Sequence, residues 1–148
     1  MAEPYVREPG EGDVFTFGPA SMSLKTADDA SSDSLFVAEH SMPPAFAGPP
    51  PHFHEEMDHH FYVLEGSVRF VIAGEEYVAR PGSFVYVPRA VAHAFGNPFE
   101  SPNRFLEMNV PGGFQHYYRE LALAFPPGSA IEPARMREIM QRYGTRPA

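Results

Sequence analysis

The stretch that decides the fold is GPPPHFHEEMDHHFYVLEG, residues 48–66. It carries three histidines in the pattern H-x-H-x4-H, at His52, His54 and His59. His52 and His54 are two residues apart, so on a β-strand both side chains leave the same face. Two imidazoles on one strand and a third on its neighbour can converge on a single ion. The stretch therefore predicts a metal site built on strands.

The alternation of side chains along the strand after the acidic turn separates two adjacent histidines. It directs His59, Phe61 and Val63 to one face and His60 to the opposite face. We therefore assign His59 to the metal site and expect His60 to point outward or to support a ligand from behind.

A second histidine-containing stretch is GSFVYVPRAVAHAFGN, residues 82–97. Proline and small residues turn the chain there before a short strand begins at His93, whose face-mates are Phe95 and Asn97. His93 is the predicted fourth ligand. Together with His52, His54 and His59 it completes a mononuclear site.

The remainder of the chain is typical of an all-β protein with a helical end. Seventeen prolines and twelve glycines separate short apolar or alternating runs. The predicted strands are Val14–Phe17, Met22–Thr26, Leu35–His40, Phe61–Leu64, Val68–Ala73, Glu76–Ala79, Phe84–Val87, His93–Phe95 and Arg104–Val110. From about 114 to 144 the apolar spacing becomes helical, which predicts a helical tail packed on the outside of a barrel.

Length and composition limit the number of domains and the classes of partner. A chain of 148 residues predicts one domain over 1–148. The formal net charge of −8 argues against nucleic acid or an anionic membrane as partner. Without cysteine, thiolate metal sites are excluded. The first residues carry no signal-peptide pattern and no apolar run reaches the length of a membrane span, so a cytoplasmic location is expected.

The two histidine stretches resemble the two conserved motifs of the cupin superfamily. Residues 48–66 are similar to the first motif, and residues 82–97 to the second, which Gly82, Pro88, His93 and Asn97 match. Ala90 stands where the second motif has a glycine. The resemblance implies an all-β double-stranded β-helix, or jelly-roll barrel, with the metal inside its open end; cupins often form homodimers.

His59 is the main departure from the cupin pattern, because the common motif has a glutamate at that position. Four neutral imidazoles would leave a divalent ion with its full charge and make it a stronger Lewis acid. Imidazole suits zinc, copper, iron or nickel. One divalent ion is expected, zinc first, with iron, nickel or copper as alternatives.

An apolar, aromatic-lined pocket is expected above the ion. Its predicted wall consists of Phe61, Val63, Tyr86, Phe95 and Asn97. Such a pocket suits a flat aromatic or polyketone substrate.

Three functions are compatible with these features. The four-histidine pattern and small size resemble the cupin-type cyclases of bacterial aromatic polyketide pathways, such as the resistomycin type, which implies Lewis-acid closure of a poly-β-ketone. The first alternative resembles the quercetinase-like dioxygenases of flavonols or diketones, most of which keep the glutamate. The second is a non-enzymatic cupin that binds a small ligand.

The sequence does not identify the catalytic base of the cyclase hypothesis. A metal-bound water or hydroxide is the simplest candidate. Glu107 and Arg104 lie on a predicted strand that could border the pocket, with no indication of which way they face. His40 and His116 are expected to be structural or surface residues.

Overall fold

The computed structural model describes residues 3–148, apart from the side chain of Ser31, and its strands form two antiparallel sheets. The six-stranded sheet has the spatial order β1 (Asp13–Phe17), β2 (Ala20–Leu24), β3 (Phe36–Met42), β10 (Asn103–Val110), β5 (Asp58–Glu65), β8 (Phe84–Val87). The five-stranded sheet has the order β11 (Thr145–Pro147), β4 (His52–His54), β9 (His93–Gly96), β6 (Val68–Ile72), β7 (Glu75–Ala79). This is the jelly-roll architecture that the motifs implied.

All nine predicted strands are confirmed, with ends that differ by at most three residues. The main addition is β11 at the end of the chain, which pairs with β4 so that Thr145 lies opposite His54. Its short sequence, Thr-Arg-Pro, has no alternating pattern that could predict a strand. Proline is tolerated there because β11 lies at the edge of its sheet.

The predicted alternation along β5 is confirmed. His59, Phe61 and Val63 are buried, whereas Tyr62 is 40% exposed. The inward phenylalanine and valine pack between the two sheets with Phe70 and Phe105. Apolar burial of this kind supplies most of the driving force for folding.

Two helices follow the last long strand, α1 (Gln115–Ala124) and α2 (Pro133–Arg142). Proline occupies the first position of α2, where its fixed φ suits a helix and its missing N–H costs nothing. The buried faces of both helices pack against β1, β2 and β3 through Phe17, Leu24 and Phe36. The expectation that this tail lies only on the outside is corrected, because both helices also line a cavity.

None of the helices within residues 3–148 combines the length and apolarity needed to cross a membrane.

Backbone conformation explains two glycines of the first motif and one alanine of the second. Gly48 and Gly66 both have positive φ, and a Cβ on either would collide with a neighbouring carbonyl oxygen. Ala90 has φ of 66°, so it adopts the left-handed conformation that a glycine would favour. Its N–H donates to the carbonyl oxygen of His54 at 2.7 Å, which holds the turn against β4.

Candidate metal centre

Three buried histidines meet where two short strands lie side by side. His52 and His54 come from β4, and His93 comes from β9, directly opposite His52 in the register. The ring centroids of His52 and His93 are 4.4 Å apart. One ring nitrogen from each of the three histidines lies within 4.8 Å of those of the other two. This spacing is compatible with a single ion between them.

The outer nitrogens of the three rings are held by protein acceptors. The Nδ1 atoms of His52 and His93 donate to the carbonyl oxygens of Pro50 and Val91 at 2.7 and 3.0 Å. Nδ1 of His54 lies 2.9 Å from the hydroxyl oxygen of Thr145. Histidines that bind metals usually have such a contact on the nitrogen that faces away from the ion.

The ring nitrogens on the opposite side from these contacts are free to bind a metal ion. Nε2 of His54 and Nε2 of His93 are buried, and neither has a hydrogen-bond partner within residues 3–148. A buried polar atom left unpaired costs about 1–3 kcal/mol, which an ion between the rings would offset.

Burial keeps the three rings in the neutral form that metal binding requires. Burial lowers the pKa of His52 to about 4 and that of His93 to about 3. Burial, followed by the nearby His59, also holds the pKa of His54 far below its usual range. The rings therefore need not lose a proton at neutral pH before binding a cation.

His59 lies beside this cluster, but its ring nitrogens do not meet the 4.8 Å limit that joins His52, His54 and His93. Its ring centroid is 4.2 Å from that of His54 and 5.5 Å from that of His93. Its Nε2 lies 3.0 Å from Oε2 of Glu107, at an angle outside hydrogen-bond geometry. The structure thus shows a three-histidine cluster with a fourth imidazole alongside, and His59 as a ligand stays a prediction.

Glu107 is a fully buried carboxylate next to the histidine cluster. Its Oε1 accepts hydrogen bonds from Nε2 of His40 at 2.8 Å and from the Tyr118 hydroxyl at 2.7 Å. Its Oε2 accepts from Nδ2 of Asn109 at 3.1 Å. Burial acts to raise the pKa of Glu107, but the contacts with His40 and His59 outweigh it and hold the pKa well below its usual range. The carboxylate is therefore ionised at neutral pH.

This network was only partly anticipated from the sequence. The sequence pattern does not show which way Glu107 faces, and it predicts a structural or surface role for His40. The structural role is the one observed: His40 is 4% exposed, and its ring stacks on that of Phe105 with the centroids 5.1 Å apart. Its place on the same face of β3 as the apolar residues Phe36 and Ala38 was its only available signal in the sequence. Its partners Glu107 and Tyr118 lie 67 and 78 residues further along the chain.

The histidines open onto a large cavity between the sheets and the helical tail. Its volume is about 970 Å³, at the upper end of the range for small-molecule sites. Most of the lining is apolar or aromatic, and representative residues are Phe17, Phe46, Phe95, Phe114, Tyr117 and Met136. His40 and Tyr118 also line it, which places two polar groups of the Glu107 network on its wall.

The predicted pocket wall is corrected in several positions. Phe95 lines the cavity, but Phe61 and Val63 lie in the core between the two sheets. Tyr86 is 50% exposed and stacks on His60, because the register pairs these two residues on the outer face. The Asn97 amide donates to backbone carbonyls, including those of Pro43 and Ser101, and joins loops instead of facing a ligand.

We predict that Thr145→Val weakens zinc binding by about 10- to 100-fold, because valine keeps the shape of threonine but cannot hydrogen-bond His54. Competition titration against a chromophoric chelator measures this affinity. Thr26→Val is a matched control, since the Thr26 hydroxyl oxygen accepts a hydrogen bond from the backbone N–H of Val37, outside the histidine cluster. Equal zinc affinity in the Thr145 variant and the wild type would show that His54 does not need this contact.

We predict that His59→Ala lowers the metal content of the purified protein sharply while His60→Ala does not. His60 is on the outer side of the sheet, where its Nδ1 lies 3.0 Å from the Met108 carbonyl oxygen. Elemental analysis of both variants, prepared in parallel with the wild type, measures the difference. Equal loss in both variants would contradict the assignment of His59.

Comparison with known proteins identifies the domain type. Residues 38–109 match the family model described as "Cupin domain". A curated relative, quercetin 2,3-dioxygenase of Bacillus subtilis, is 31% identical over 120 residues, which cover 81% of this chain. The chain spans only 35% of the length of that relative.

Solved structures give the same fold. KdgF from Halomonas sp. aligns with a TM-score of 0.66 at 18% identity, over 77% of this chain and 99% of that one. The polyketide cyclase RemF from Streptomyces resistomycificus aligns with a TM-score of 0.60 at 26% identity, over 74% of this chain and 80% of that one. Residues 38–109 thus match a cupin domain, and the protein has a jelly-roll fold.

Proposed function

We propose that this cupin-fold protein is a metal-dependent cyclase, with zinc as the expected ion, that closes a ring in a poly-β-ketone during aromatic polyketide biosynthesis. The observation that carries the proposal is the composition of the cluster at the cavity. His52, His54 and His93 supply only neutral imidazole nitrogens. A divalent ion held there supplies strong Lewis acidity toward a ketone oxygen.

The cavity provides the conditions that ring closure needs. In an aldol closure, a substrate carbon gives up a proton to form an enolate and then bonds to a carbonyl carbon further along the same molecule. The oxygen of that carbonyl takes up a proton to become a hydroxyl, which leaves as water with a neighbouring hydrogen when the ring dehydrates. The large apolar space can hold a folded chain with these carbons close together, which lowers the entropic part of the barrier. Phe95 from the barrel and Phe114 from the helical tail present aromatic faces to such a flat substrate.

The helical tail supplies part of the apolar wall of the cavity. Tyr117, Leu121 and Met136 are each at most 6% exposed and lie on that wall. A substrate that fills the apolar space displaces water, which would otherwise compete for the ketone oxygens or protonate the enolate carbon. The likeness to RemF, which is a polyketide cyclase, supports the same reaction class.

The alternative is a quercetinase-like dioxygenase that cleaves a flavonol or diketone. It is favoured by the 31% identity to the Bacillus subtilis quercetin 2,3-dioxygenase. A dioxygenase needs a metal that supports oxygen chemistry, and most dioxygenases of this type keep a glutamate where this chain has His59. The imidazole-only cluster therefore favours the cyclase.

Metal analysis combined with oxygen uptake separates these functions. The purified protein is assayed for bound metals and then mixed with a flavonol or a linear 1,3-diketone under air in an oxygen electrode. A parallel anaerobic reaction with a linear polyketone is followed by mass spectrometry for the loss of one water per ring closed. The cyclase proposal expects zinc, no oxygen uptake and ring closure without air.

Two results would contradict the cyclase proposal. Bound iron or copper with stoichiometric oxygen consumption would establish the dioxygenase instead. Tight binding of these compounds without any product, under air or without it, would favour a non-enzymatic binding protein.

A further inference from the structure

Each of the four clustered imidazoles has one nitrogen against a protein acceptor, but His59 differs in which one. In His52, His54 and His93 the held nitrogen is Nδ1. In His59 it is Nε2 that approaches Oε2 of Glu107. Nδ1 of His59 is buried and has no partner within residues 3–148, as is also true of Nε2 in His54 and His93. Nε2 of His59 makes no hydrogen bond within these residues either, so its contact with Glu107 is a charge contact at 3.0 Å. The nitrogen of His59 that meets a protein acceptor is thus the opposite one from that in the other three rings.

The position of Glu107 follows from the register of two central strands. On β10, Glu107 is paired with Phe61 and Asn109 with His59. Glu107 and His59 are therefore diagonal neighbours on the inward face of the sheet, within reach of long side chains. The outer face of the same sheet holds a different carboxylate, Glu39, which pairs with Arg104 at 2.7 Å.

Packing alone does not explain the burial of Glu107, because burying its carboxylate costs free energy. It is 0% exposed, and burial of an ionised carboxylate is strongly unfavourable unless it is paired and hydrogen-bonded. No arginine or lysine contacts it among the described residues; its partners are His40, Asn109, Tyr118 and the ring of His59. A metal ion held one imidazole away would provide the missing positive charge.

We propose that Glu107 is the positioning residue of the metal centre: its carboxylate holds the His59 ring so that Nδ1 is the nitrogen left for the ion. The proposal rests on the metal-binding part of the proposed function and not on the reaction. His40, Asn109 and Tyr118 fix the carboxylate in turn, since each donates a hydrogen bond to one of its oxygens. This arrangement would bring a negative charge within one imidazole of the ion, near the position where the common cupin motif has its glutamate.

The test uses Glu107→Gln, which keeps the shape of the side chain and removes its charge. Metal-free protein is titrated with Zn²⁺ against a competing chelator and, separately, with Co²⁺ while its visible spectrum is recorded. Loss of a contact behind a metal-bound histidine typically weakens binding by about 10- to 100-fold. We expect such a loss for Zn²⁺ in Glu107→Gln, together with a changed Co²⁺ spectrum that resembles the spectrum of His59→Ala.

A double variant and a matched control distinguish positioning from general damage. In the His59→Ala background, Glu107→Gln is expected to change the Zn²⁺ affinity by less than about 2-fold, because coupled residues are not additive. Glu39→Gln removes a carboxylate from the outer face and is expected to bind both metals like the wild type. If Glu107→Gln does not fold, Tyr118→Phe, which removes one hydrogen bond from the same carboxylate, is expected to give a smaller loss in the same direction.

Two results would overturn the proposal. One is an unchanged Zn²⁺ affinity and Co²⁺ spectrum in folded Glu107→Gln. The other is an equal loss of affinity in the wild-type and His59→Ala backgrounds, which would mean that Glu107 acts independently of His59. Neither readout depends on ring closure, so a wild-type protein that binds metal but does not cyclise a polyketone contradicts only the proposed function.

Discussion

His93→Ala is expected to weaken zinc binding by more than about 100-fold, a larger effect than loss of a contact behind a ligand. His93 comes from β9, whereas His52 and His54 share β4. Its removal leaves His52 and His54 from a single strand, with His59 of β5 as a further predicted ligand, and nothing from β9. An ion would then keep at most three ligands, the lower limit for a protein zinc site. Competition titration with a chromophoric chelator measures the change.

His116→Ala is the matched control for His93→Ala. His116 is an exposed residue of α1, and within residues 3–148 its Nδ1 accepts a hydrogen bond from Arg119. The control variant should bind zinc like the wild type. A zinc affinity of His93→Ala within about 3-fold of the wild type would rule out the three-histidine cluster as the metal site.

The metal-free protein is expected to lose stability as the pH falls below about 6.5. The unfolded chain takes up a proton on each histidine near its usual pKa of about 6.5. In the folded protein, burial delays that uptake until about pH 4 for His52 and about pH 3 for His93. The unfolded state thus binds more protons throughout this range, so the stability present above pH 6.5 is lost as the pH falls.

The slope of this loss can be measured by chemical denaturation of metal-free protein between pH 7 and pH 4.5. Each such histidine lowers the free energy of unfolding by about 1.4 kcal/mol per pH unit below its unfolded pKa. His93→Phe, which removes one titrating group, is expected to reduce the slope by about that amount. A free energy of unfolding that does not change between pH 7 and pH 5 would show that these histidines can be protonated in the folded protein.

The location of the clustered histidines was predictable because it depends on local periodicity. Side chains alternate along a strand, so the two-residue spacing of His52 and His54 places both on one face wherever the strand lies. The same rule separated buried His59 from half-buried His60, as the structure confirms. The prediction that Tyr86 faces the pocket was wrong, because alternation along a strand does not show which of its two faces is the inner one.

The sequence by itself determined an all-β domain with a helical end, the strand that carries two of the histidines and the face on which His59 lies. Its alternating runs and turn residues act over a few positions, and such patterns can be read without knowing what they pack against. Only the tertiary structure decided that His93 lies opposite His52, that the helical tail lines the cavity, and that Glu107 contacts His59. Glu107 and His59 are 48 residues apart along the chain. Their contact depends on which strands become neighbours and in what register, and burial of the whole core sets that choice.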